Sequence, residues 1–173
     1  MELFTAAILL LQAATGQGAA NAEPCTGEAH AALDFWVGEW GVYRNGGDTP
    51  VAESTIEKLY GGCAIRENWK PRNGQSGGSL SGYDPASGRW HQTWIGWAPG
   101  LVYFEGGPVG DRFVLTGRWA GSGPNGEDGL TRMTYSREAG GAVRQLGEFS
   151  ADHGLTWVTS FDFIYRPRAP SGD

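Results

Sequence analysis

The chain has 173 residues, with 13 basic against 19 acidic side chains and a formal net charge of −6. That balance argues against nucleic acid as a partner, because affinity for a polyphosphate comes largely from basic side chains displacing counterions. The charges form no block of one sign and no basic amphipathic stretch to hold a membrane surface. With 29 Gly and 9 Pro, helical runs of several turns are interrupted throughout, and an all-β fold is expected.

Residues 6–14 are mostly apolar, and Ala20-Asn21-Ala22 is a small-x-small site of the signal-peptidase type. Residues 1–22 therefore read as a signal peptide and residues 23–173 as one domain, periplasmic or secreted, without stable membrane association once the leader is removed. The apolar run is too short to span a bilayer, and Glu2 stands where a basic residue usually precedes such a run. Cys25 and Cys63 both fall in the mature part, and an even count in an exported chain predicts a disulfide between them.

Beyond the leader, segments rich in aromatic and β-branched residues recur between turn residues at 36–44, 51–60, 63–70, 79–84, 89–97, 101–106, 112–119, 130–137, 142–150 and 155–166. The gaps are of hairpin length. Asn45-Gly46-Gly47-Asp48, Gly61-Gly62, Gly106-Gly107 and Gly140-Gly141 supply residues that accept positive φ, and Asp84-Pro85-Ala86-Ser87-Gly88 presets a type I turn through its proline. Successive hairpins make an antiparallel meander, which either closes into a barrel or folds into a sandwich. The expected architecture is an up-and-down β-barrel of about 8 to 10 strands with a short N-terminal helical turn.

Gly38-Glu39-Trp40 resembles the Gly-x-Trp motif that opens the first strand of lipocalins, and Arg166 is similar to the arginine that those proteins stack on that tryptophan. The resemblance implies a structural Trp40–Arg166 contact at a closed barrel end, a cation–π pair of about 1 to 2 kcal/mol when partly desolvated. More of the chain resembles a family of exported bacterial lipocalin-like domains of unknown function, with a calycin-type barrel. The matching stretches are 35–40, 62–69, Tyr83-Asp84-Pro85 with 88–94, and 161–165. This resemblance implies fold and export but no reaction.

Following the strand period of two, Ile65, Glu67 and Trp69 share one face, as do Trp90, Gln92 and Trp94. If those faces point inward, Glu67, Trp69, Trp90, Gln92 and Trp94, with Gln145 from a later strand, line one cavity that is aromatic with a few hydrogen-bonding groups, the usual make-up of a small-molecule site. The alternative is that the eight tryptophans simply fill a core. A buried Glu67 needs a partner, with Arg132, Arg144 and Gln145 as candidates, or its pKa rises until it is neutral.

Other motifs carry less. Gly74-Gln75-Ser76-Gly77-Gly78 matches Gly-x-Ser-x-Gly, but a nucleophile elbow needs a following helix, so a hairpin connection is expected. His30, His91 and His153 lack neighbours at zinc-ligand spacing, so no metal is expected. Nor is any cofactor: His153 is the one residue to weigh as a haem ligand, and its place in Ala151-Asp152-His153-Gly154 reads instead as a solvated turn. The leading expectation is an exported protein binding a small hydrophobic or aromatic molecule. The alternatives are an isomerase, cyclase or hydrolase using Glu67 for acid–base chemistry, and carbohydrate recognition by exposed tryptophans such as Trp97 and Trp119.

Overall fold

In the computed structural model, which describes residues 25–168, ten antiparallel strands close into one up-and-down barrel. They are β1 (Gly38–Arg44), β2 (Pro50–Leu59), β3 (Ala64–Pro71), β4 (Gly77–Asp84), β5 (Arg89–Ile95), β6 (Leu101–Val109), β7 (Arg112–Trp119), β8 (Gly129–Arg137), β9 (Val143–Ser150) and β10 (Val158–Pro167). Each pairs with its sequence neighbours, and β1 pairs with β10 to complete the ring. The architecture is compatible with a lipocalin-like barrel. The expected leader, residues 1–22, lies outside the described residues.

Alternation decides which side chains enter the barrel. On β8, Thr131, Met133 and Tyr135 are buried while Arg132 and Thr134 between them are not. The outer face carries cross-strand ion pairs between directly opposed residues, among them Arg66–Glu57 at 2.7 Å and Arg132–Glu148 at 2.8 Å. Glycine marks two close approaches inside. Gly147 on β9 opposes Phe161 on β10, and a Cβ there would strike the Phe161 ring; on Gly77 of β4 it would strike Trp94.

The two ends of the barrel differ. At the end where the odd-numbered strands begin, the N-terminal segment folds across the opening as a one-turn helix, α1 (Glu28–Ala31), and a 3-10 turn (Asp34–Trp36). Leu33 and Trp36 are fully buried there. The Trp90 indole donates to the Ala29 carbonyl at 3.0 Å, Trp40 donates to the Trp36 carbonyl at 2.9 Å, and Lys58 pairs with Asp34 at 2.6 Å. Cys25 and Cys63 are bridged, which ties this plug to the turn between β2 and β3. Closing a loop of 38 residues stabilises the fold by about 4 kcal/mol in the chain-entropy model.

The Trp40–Arg166 stack does not form. Arg166 is paired across the sheet with Gly41, one residue out of step with Trp40, so its side chain leaves on the outer face while the Trp40 indole enters the barrel. The guanidinium lies instead over the Tyr43 ring, 4.2 Å from its centroid, and donates to the Gly47 carbonyl. Closure of β1 on β10 is present, but a one-residue difference in register reverses the face.

Candidate functional site

The opposite end of the barrel, where odd-numbered strands finish, is hollow. A cavity of about 190 Å³ lies there. Its rim is aromatic and half-buried: Trp69 from β3, Trp94 from β5, Trp119 from β7, and Phe161 and Phe163 from β10. Phe161 and Phe163 stack at 5.2 Å between centroids, and Trp69 lies 5.8 Å from Phe163. Deeper in, Phe104 and Met133 are buried walls, and the floor is a polar cluster of Glu67, Gln92, Tyr135, Gln145 and Tyr165, all at most 7% exposed.

The strands that flank Glu67 explain how a carboxyl group is accommodated. β2 on one side and β4 on the other present serines inward, and Ser54 and Ser79 each donate a hydroxyl to one carboxyl oxygen at 3.2 Å. A bulkier residue at either position would fill the space these hydrogen bonds occupy. Tyr165 from β10 stands 3.5 Å from the carboxyl, but its single proton goes to the Gln145 amide oxygen at 2.7 Å. Gln145 in turn donates to the Tyr135 hydroxyl at 3.0 Å and to the Met133 sulfur at 3.3 Å, and Gln92 donates to Ser81 at 2.9 Å.

Among the described residues no cation reaches this cluster, and Glu67 is the only charged one lining the cavity. Burial pushes its carboxyl up to about 7, the hydroxyls of Ser54 and Ser79 opposing that rise only in part. Burial, and after it the Glu67 charge, also raises Tyr135 and Tyr165, so both phenols are neutral. The floor thus holds one group that titrates near neutrality, set in a low-dielectric pocket whose other members are uncharged.

Of the residues expected to share a cavity, Glu67, Trp69, Gln92, Trp94 and Gln145 do so. Trp90 does not: it faces inward, but it lies near the start of β5 and is sealed at the plugged end against Phe113, at 5.4 Å, and Tyr83. Alternation places a residue on a face and says nothing about its depth along the barrel. Arg132 and Arg144, weighed as partners of Glu67, alternate outward and pair with Glu148 and Asp162. Gln145 is inside but reaches Glu67 only through Tyr165.

Tyr135 and Tyr165, and with them Ser54 and Ser79, are site residues that the tryptophan and charge pattern does not single out; the signal for both tyrosines is their place within two of the strand segments evident in the sequence. Trp119, expected to be exposed, instead lines the cavity and packs edge-on against Phe104 at 6.1 Å. Trp97 is 71% exposed on the β5–β6 connection. His153 is exposed at positive φ in the β9–β10 loop, outside the cavity lining. Ser76, the centre of the Gly-x-Ser-x-Gly match, is exposed in the β3–β4 turn. The chain matches no protein-family model, and none of the curated proteins matches it.

Proposed function

We propose that this is an exported, lipocalin-like binding protein that holds one small, largely aromatic or hydrophobic molecule in the open end of its barrel. The observation that carries the reading is the unfilled 190 Å³ space itself, bounded by half-buried aromatic rings above and buried hydrogen-bonding groups below. A core built only for stability closes such a space, because interiors pack to crystal-like density and each void costs contacts. A dry cavity of about 150 Å³ admits benzene, so this one suits a molecule of one ring or two small fused rings. The disulfide supports export, since such bonds persist mainly in oxidising compartments.

Native mass spectrometry of protein purified from its own source tests the reading, together with quenching of tryptophan fluorescence on titration with indole. A retained mass, or saturable quenching lost when the rim is altered by Trp94→Ala, supports it. Protein that carries no molecule and shows no saturable response refutes it. A carboxyl group held near 7 favours a second reading, acid–base turnover of the bound molecule by Glu67. Conversion of the retained molecule to a species of different mass or retention time, lost in Glu67→Gln, is its test.

A further inference from the structure

The hydrogen-bond inventory of the cavity floor is unbalanced. Ser54 and Ser79 both direct their hydroxyl protons at Glu67, Tyr165 gives its proton to Gln145, both protons of the Gln145 amide nitrogen are engaged by Tyr135 and Met133, and Gln92 donates to Ser81. The donors nearest the carboxyl, on Ser54, Ser79, Tyr165 and Gln145, are thus occupied within the protein, the Tyr135 hydroxyl lies 3.8 Å from the Met133 sulfur, and Gln92 keeps a second amide proton away from Glu67. What remains facing a guest is lone pairs, on the carboxylate, on the Tyr165 oxygen and on the Gln145 carbonyl, each of which accepts more than one hydrogen bond. A molecule seated on the Glu67 carboxylate must therefore bring the proton of that contact itself.

Charge points the same way. From the elements around Glu67, the groups that face it are Ser54 on β2, Ser79 on β4 and Tyr165 on β10, with Tyr135 on β8 beyond, and among the described residues no Lys, Arg or His lines the cavity to balance the carboxylate. The walls add six-membered and indole rings, whose electron-rich faces attract cations. The chain as a whole is acidic, at −6, which draws cations toward it.

We infer that the cavity takes a small amine in its protonated form, its ammonium group seated on Glu67 and its apolar, ring-sized body between Trp69, Trp94 and Trp119. This rests on the reading of the cavity as a binding site and specifies what enters it. The bound ammonium supplies the counter-ion that the fold omits. Because it stabilises the ionised carboxyl, binding expels the proton that Glu67 carries at lower pH, so affinity rises with pH through the range where that group titrates and levels off above it.

Calorimetric titration with 2-phenylethylamine and with 2-phenylethanol, near-equal in size and differing in charge, tests the inference at about pH 8 and about pH 5.5. The amine is expected to bind at least about tenfold more tightly than the alcohol at the higher pH, and to lose about 30-fold in affinity at the lower one if the carboxyl titrates near 7. The alcohol should lack that fall. In Glu67→Gln the amine should lose its advantage over the alcohol together with its pH dependence, a cooperative urea transition reporting the intact fold; should that variant not fold, the wild-type pH comparison decides. Binding of the alcohol as tightly as the amine at the higher pH overturns the cation assignment and leaves the binding cavity standing. Binding of neither probe overturns both.

Discussion

Glu67→Gln gives a direct measure of what the buried carboxyl does to stability. In the unfolded chain the group titrates near its ordinary 4.5, and in the fold near 7, so the native state holds the proton more tightly. For a carboxyl raised in this sense, stability is greatest below 4.5, where both states are protonated. It falls as pH rises from 4.5 to 7, and the loss is complete above 7. The rise from 4.5 to about 7 amounts to about 3 kcal/mol, most of which develops between about pH 5 and about pH 8. Glutamine has no proton to lose. Whatever offset the amide introduces at Ser54 and Ser79, the stability of the variant relative to wild type should therefore improve by about 2 to 3 kcal/mol over that interval. Urea denaturation followed by tryptophan fluorescence at both pH values measures it. Parallel profiles, with a gap constant to within about 0.5 kcal/mol, would refute the claim that the carboxyl is desolvated without a counter-ion.

Breaking the Cys25–Cys63 bridge, by Cys25→Ser together with Cys63→Ser, should lower stability by about 4 kcal/mol in urea denaturation and leave indole binding at the far end of the barrel unchanged. Trp90→Phe removes the hydrogen bond to Ala29 and part of the packing on Phe113, so it should cost about 1 to 3 kcal/mol of stability while the affinity of any cavity ligand stays at the wild-type value; weakened binding would place Trp90 in the site after all. Gly147→Ala drives a methyl group into the ring of Phe161, and should cost about 1 to 3 kcal/mol and weaken cavity binding through the displaced rim. An unchanged affinity in that variant, measured by the same fluorescence titration, would show that Phe161 takes no part in the rim.

What the amino-acid order determined by itself was mostly local: ten strand segments, most of the turns between them, the cysteine pairing, and which residues of β3 and β5 share a face; Gly106-Gly107, expected as a turn, instead lies inside β6, paired with Leu115 and Val114, and the hairpin turns beyond Val109. Backbone alternation and turn chemistry are properties of a few adjacent residues, so Glu67 with Trp69 and Gln92 with Trp94 were legible as shared faces before any fold was known. Depth along the barrel, and the stagger that closes it, depend on how every strand is shifted against the next. Those shifts are a sum over the whole ring that no single segment contains. Only the tertiary structure therefore sent Trp90 to the plugged end, turned Arg166 outward onto Tyr43, and surrounded Glu67 with two serines and a tyrosine from three separate strands instead of the arginine that its charge alone would call for.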